Sequence, residues 1–423
     1  MNMRRGDGAC GRPGDAAAAG AAARPVAPSQ ARPFSASAHW AELSERRRNT
    51  AIFAVFTAFV LIYPFIDRAF NLNRLGAMNP IFIYVMLALG LNIVVGFAGL
   101  LDLGYAAFFA IGGYTAAFLT SPQSPLPEQY RTDFWVAMAL SWLVAASFGL
   151  ILGAPTLRLR GDYLAIVTLA FGEIVPRAIL NLERFTGGSK GLNPIGRPHL
   201  GEHELLASDQ IQWYYLIVLV GAISVFAISR LHDSRLGRAW MAIREDEVAA
   251  ASMGIDLVRT KLAAFALGAS FSGFAGSLFA SMLQFIDPFQ FDFSISIMVL
   301  SMIILGGIGN IWGVMVGGVV MGVFNFIFTE SASSWIHGIG QALNVPLVSP
   351  ALQAVDLSNS KLMIFGLALV LLMLLKPEGL FPSAQRKVEI KGELLPETAV
   401  DVGSVEVEAE EIARGEHVEV GER

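Results

Sequence analysis

Residues 293–329 read FSISIMVLSMIILGGIGNIWGVMVGGVVMGVFNFIFT, 37 residues without one Asp, Glu, Lys or Arg. At 1.5 Å per residue a bilayer-crossing helix needs roughly 20 apolar residues. The run is therefore too long for one span and is predicted to hold two, broken where Gly306, Gly307 and Gly309 crowd together. Further charge-free runs occupy Leu75–Leu101, Leu103–Pro127, Phe134–Leu157, Gln210–Ser229 and Leu262–Ile286. Shorter ones at Ala51–Ile66, Tyr163–Leu182 (interrupted by Glu173 and Arg177) and Leu362–Leu375 complete a set of ten. The fold class expected is an all-α polytopic membrane protein.

Composition agrees: 54% of the 423 residues are hydrophobic and 15% charged, with a mean hydropathy of +0.55. Acidic residues outnumber basic ones, 35 to 30, and no long stretch is uniformly basic, which sets nucleic acid aside as a partner. Cys10 is the only cysteine, so no disulfide framework, cysteine-based zinc site or iron–sulfur cluster is built by this chain alone. Cytoplasmic segments collect Lys and Arg. With the N-terminus inside, the N-tail, Pro155–Gly161, Arg230–Lys261 and the tail from Lys376 carry 22 of the 30 basic residues, which favours an even number of spans and both termini cytoplasmic. The inner turns Gly96–Gly104 and Gly306–Trp312 carry neither Lys nor Arg, so charge leaves open whether they are re-entrant.

Three regions follow. Residues 1–50 are expected to be a disordered, basic cytoplasmic tail rather than a cleaved leader; residues 51–376 form the membrane domain, with a cytoplasmic loop at 231–261; and residues 377–423 form an acidic, solvated tail.

Signatures of enzyme chemistry are missing. No Gly-Lys pair exists to begin a phosphate-binding loop, and no H-E-x-x-H occurs. The one Gly-x-Ser-x-Gly match, Gly187–Gly191, lies in a predicted outer loop and reads as a flexible turn rather than a nucleophile elbow. Neither a metal nor a cofactor is expected on this chain, and any ATP hydrolysis belongs to another.

The loop at 231–261 is the first candidate site. Asp233 or Ser234 caps a helix there and Gly254 ends it, while Trp240, Ile243, Val248 and Ala251 recur at roughly helical spacing. Arg238, Arg244, Glu245, Asp246 and Glu247 supply both signs of charge, which suits a helix seated in another protein's groove better than one resting on lipid. Small residues at four-residue spacing, Ala269/Gly273/Ser277, Gly313/Gly317 and Gly318/Gly322, let helices approach closely. A second candidate comes from symmetry. Each half of the chain has a glycine-interrupted pair of spans, the pattern of a path built from broken helices. Its candidate lining is Asn92, Gly99, Asp102 and Tyr105 from the first half and Gly306, Gly307, Gly309 and Asn310 from the second; Asp102 serves equally as the N-terminal acid of the following span. Glu173 and Arg177, four apart around Pro176, form either a gate or a structural ion pair.

The stretches LGLNIVVGFAGLLDLGY at 89–105, LRLRGDYLAIVTLAFGEI at 157–174 and LGRAWMAIREDE at 236–247 closely resemble the LivM-type permease of branched-chain amino acid ABC importers. The likeness continues through TGGSKGL at 186–192, residues 261–280, LGGIG at 305–309 and PEGL at 377–380, covering roughly residues 75–380. The resemblance implies the ABC importer permease fold and one of two permease subunits in a bacterial inner membrane. Its partners would be a LivH-like permease, two LivG/LivF-like cytoplasmic ATPases that hold ATP and Mg²⁺, and a periplasmic binding protein delivering leucine, isoleucine or valine. It also implies that residues 236–254, among them Arg238, Trp240, Arg244, Glu245, Asp246, Glu247 and Gly254, dock on an ATPase. The fit to that family's docking motif is partial: Ala249, Ala250 and Gly254 keep its spacing, whereas Val248 stands where a Glu is expected and Glu247 comes one position early. Related permeases carry urea or short-chain amides. A stand-alone ion-coupled transporter would place ionisable groups at mid-membrane, and few are seen.

Overall fold

A computed structural model describes residues 60–70, 74–156, 162–200, 203–206 and 208–328, with positions 366, 370 and 374 besides. The chain divides into two compact units, residues 1–63 and 64–423. Of the first unit residues 60–63 are described, and they are helical. The two tails, most of the expected span Ala51–Ile66 and nearly all of Leu362–Leu375 lie outside the described residues.

The described residues of the second unit form a helical bundle. Its elements are α1 (Leu75–Asn92, continued by a π-turn Ile93–Phe97), α2 (Tyr105–Thr120), α3 (Phe134–Thr156), α4 (Asp162–Asn181), the short α5 (Glu183–Thr186) and α6 (Gln210–His232). They are followed by α7 (Arg235–Glu245), α8 (Glu247–Ser252), α9 (Leu257–Leu283), α10 (Phe293–Gly306) and α11 (Ile311–Val323, continued by a π-turn Phe324–Phe328). Among the described residues the strands are a two-residue antiparallel ribbon, His199–Leu200 with His203–Glu204. Among the described residues six helices are long and apolar enough to cross a membrane: Leu75–Phe97, Phe134–Thr156, Tyr163–Asn181, Gln210–His232, Leu257–Leu283 and Pro288–Gly306. Two shorter apolar helices, Tyr105–Thr120 and Ile311–Ile327, accompany them. The long run breaks between Gly306 and Ile311, as its glycines require.

α1 is apolar around its whole circumference and is the core helix, buried among α6, α9, α10 and α11. α9 packs between α2 and α3: a Cβ on Gly273 would lie 2.5 Å from the Ser141 carbonyl of α3, and one on Gly112 of α2 would lie 2.5 Å from Gly273. The small-residue stripes work the same way on α11, where Gly317 faces α10 and Gly318 and Gly322 face Val85 and Ile81 of α1. Close backbone approach is how helices gain packing energy where lipid supplies no hydrophobic drive.

Two expectations need correction. The single helix expected to end at Gly254 is two, because Asp246 turns extended (φ −154°, ψ 114°) and its carboxylate caps α8 through the amides of Val248 (2.7 Å) and Ala249 (2.9 Å). The Gly187–Gly191 stretch is a packed turn, not a loose one: Gly188 and Gly191 are buried, and Leu192 pairs with Ile286 through backbone hydrogen bonds of 3.0 and 3.3 Å.

Candidate functional site

The loop helices are fastened to the bundle on one side and bare on the other. Ser234 caps α7, its hydroxyl accepting from the Gly237 amide at 3.3 Å. Trp240 is fully buried, and its indole N–H donates to the Thr260 carbonyl at 2.7 Å, tying α7 to the first turn of α9. The buried Lys261 ammonium pairs with Glu247 at 2.5 Å and ties α8 to the same place. A buried cation needs such a partner, since desolvation costs more than an unpaired charge recovers. On the opposite side Arg235, Leu236, Arg238, Glu245 and Asp246 are exposed, together with Val248 and Met253 at 71% and 83%.

Arg244 does not share that bare face. It is half-buried, and its Nη1 donates to the carbonyl of Gly96, 148 residues away, at 2.6 Å. This carbonyl belongs to the π-turn ending α1, where helix carbonyls lack intrahelical partners and carry the negative end of the dipole. Beyond it the chain turns at Gly99 (φ +69°) and runs to Gly104, the residue preceding α2. A Cβ on Gly99 would sit 2.8 Å from Arg244 Cγ.

The turn between α10 and α11 reaches the same place. Gly307 and Gly309 hold φ of +108° and +84°, conformations costly for any residue with a Cβ. The Gly309 amide donates to Asn92 Oδ1 at 3.0 Å, across 217 residues, and a Cβ on Gly309 would lie 3.1 Å from Arg244 Nη1. Asn310 then caps α11, accepting from Trp312 at 3.1 Å and Gly313 at 3.3 Å.

The candidate residues therefore separate. Asn92, Gly99, Gly309 and Arg244 share one junction. Asp102 lies beside it, fully buried; its Oδ1 accepts from the Gly104 amide at 2.9 Å, while Oδ2 has no hydrogen-bond partner among the described residues. Burial pushes this carboxyl up to about 7, against the opposing pull of the Gly104 hydrogen bond. The next amide, Leu103, donates to Thr168 Oγ1 of α4 at 3.0 Å. Tyr105 donates to the Gly268 carbonyl of α9 at 2.7 Å, deep in the bundle. Gly306 meets Gly313 and Gly317 in the α10–α11 contact. Glu173 and Arg177 have different surroundings: they pair at 3.5 Å on the outside of α4, with side chains 48% and 77% exposed.

Sequence reasoning missed Thr260, Thr168 and the Gly96 carbonyl as partners. Nothing local marks a main-chain carbonyl, and a lone threonine inside an apolar run is commonplace. Lys261 did leave a trace, as the charge standing at the head of the run Leu262–Ile286.

A family model described as branched-chain amino acid transport system / permease component matches residues 73–349, which include every residue of this junction. The chain is 38% identical over 330 residues to the high-affinity branched-chain amino acid transport system permease protein LivM of Salmonella typhimurium, the match covering 73% of this chain and 70% of that protein. The corresponding Escherichia coli K12 protein gives the same identity and coverage. LivH, the permease protein of that name from Salmonella typhimurium, is 23% identical over 272 residues, 61% of this chain and 84% of its own length. No solved structure matches.

Proposed function

We propose that this chain, which belongs to the family of branched-chain amino acid transport system permease components, is one of two permease subunits of an ATP-driven importer of leucine, isoleucine and valine. The second is a LivH-like permease, a pairing supported by the similarity of this one chain to both LivM and LivH proteins. Two cytoplasmic ATPases hold ATP and Mg²⁺, and a periplasmic protein delivers the amino acid. The chain crosses the bacterial inner membrane ten times with both ends cytoplasmic.

The observation that carries this reading is the two-sided loop. Its outer side offers Arg238, Glu245, Val248 and Met253 to a groove on an ATPase; its inner side is pinned by Trp240, Arg244 and Lys261 to span ends. A push on such a loop moves helices instead of being absorbed. The glycine turns lie at the inner mouth of the path, with Asn92, Gly99, Gly309 and Asn310 nearest to it and Asp102, Tyr105, Gly306 and Gly307 behind. A path that offers a zwitterion few charged anchors releases its load, leaving selectivity to the delivering protein. Glu173 stands near the middle of a span and Arg177 in its outer half, where lipid would leave them poorly solvated. The α4 face that carries them is accordingly turned to the second permease and borders the path.

The test is uptake of radiolabelled leucine and urea into proteoliposomes holding the chain with its co-purifying partners, with and without internal ATP and external binding protein. Leucine uptake that requires both additions is expected. Uptake of urea instead would move the substrate class, and uptake by this chain alone on an ion gradient would overturn the reading.

A further inference from the structure

We infer that Arg244 is the positioning residue through which displacement of α7 reaches both glycine turns at once. The inference rests on the importer reading for what moves α7, and on geometry for where the movement goes. The hydrogen bond of Trp240 and the ion pair of Lys261 connect the loop helices to α9. Arg244 instead passes between the halves of the molecule: its guanidinium holds the Gly96 carbonyl at the end of α1, and its Nη1 lies against Gly309 ahead of α11.

The room it occupies is created by missing side chains. A Cβ at Gly99 would meet the Arg244 stem at 2.8 Å and one at Gly309 would meet its head at 3.1 Å, and both glycines hold positive φ, so neither position accommodates a larger residue cheaply. Each turn thus contributes one left-handed glycine to the same arginine. The turns are also joined directly by the Asn92–Gly309 hydrogen bond at 3.0 Å, so Gly96, Asn92, Gly309 and Arg244 close a cycle of contacts. Arginine suits this place for a physical reason: a planar guanidinium projects several fixed donors from a long stem, so it holds a main-chain carbonyl while lying flat against a second turn. Pulling α7 away breaks the Gly96 contact and removes the wall beside Gly309 in the same stroke, freeing the ends of α1 and α11 together. The two turns then open as one element.

Hydrogen exchange on the full chain in detergent and coupling in the assembled transporter test this with R244A and R244K. In R244A, amide exchange over residues 96–99 and 306–310 is expected to accelerate by about tenfold or more, while the packed turn at 186–192 keeps its wild-type rate. In the assembled transporter, substrate moved per ATP hydrolysed is expected to fall about tenfold in R244A with hydrolysis itself within about twofold of wild type, and R244K is expected to recover part of the loss. Wild-type exchange at both turns in R244A, or a proportional fall of transport and hydrolysis, overturns the inference. If R244A fails to insert, R244K takes its place at the same two turns, because a lysine that changes neither exchange nor coupling also overturns the inference. A wild-type assembly that transports nothing would refute the importer reading, whereas the exchange experiment would still report on Arg244.

Discussion

The turn between α1 and α2 and the turn between α10 and α11 each interrupt apolar helices with a glycine at positive φ, Gly99 at +69° and Gly309 at +84°, and each lies against Arg244. They differ in what fixes them. The first is anchored by a fully buried carboxyl, Asp102, on the Gly104 amide and by Thr168 of a neighbouring helix on Leu103. The second is anchored by neutral amides, Asn92 on Gly309 and Asn310 on the opening amides of α11, with Asn310 only half-buried. The same backbone device is therefore tied to protonation in one turn and anchored by groups that do not titrate in the other, because only a group whose proton affinity changes on folding links stability to pH.

The largest way to break this comparison is pH. Asp102 binds its proton more tightly folded than unfolded, since burial raises its carboxyl from the ordinary 3.8 up to about 7. Below the lower value both states are protonated and nothing is lost. Between the two values the unfolded chain ionises first, so stability falls as pH rises and levels off above the higher one, by up to about 4 kcal/mol. The thermal midpoint of the purified permease in detergent, followed from pH 4 to 8, is expected to decline in this window, and D102N is expected to remove that decline. A D102N profile parallel to wild type would mean that Asp102 is not what separates the turns.

A smaller effect comes from the neighbouring anchor. T168V preserves shape but strands the Leu103 amide, an expected loss of about 1–3 kcal/mol at all pH values, read as a pH-independent drop in the same midpoint. A drop confined to high pH would show that Thr168 acts only through Asp102. The smallest effect belongs to the second turn. N310A removes the cap of α11 at a place where water reaches, and about 1 kcal/mol is expected, again without pH dependence. A loss larger than that of T168V would invert the ranking of buried over half-buried anchors.

Much of this arrangement is legible in the residues. The charge-free runs locate the helices, the triplet Gly306, Gly307 and Gly309 locates the break in the longest one, and Ser234 marks the start of α7. Asp246 shows where legibility ends. It reads as one of the charges along a continuing helix, whereas a backbone rotation that the surroundings select makes it the cap of a new one. Glu247 is similar: the charge run places it with the residues expected to dock on a partner, yet it turns to Lys261, 14 residues on, because α9 presents a buried ammonium there.

Residue order alone places the apolar helical segments and the glycines that permit the turns, because those properties depend on side-chain solvation and on backbone sterics within a few residues; it counts ten spans where six described helices are long enough to cross a membrane. That α1 is the core and α4 the exposed surface follows from packing and not from residue order, for both are apolar, and in a membrane apolarity does not distinguish a protein neighbour from lipid. Packing alone decided, too, that Asn92 meets Gly309 and that Arg244 points inward while Glu245 beside it points out. Contacts across 148 and 217 residues are fixed by how helix ends come to rest after the small-residue stripes have packed, and no local pattern encodes that resting place.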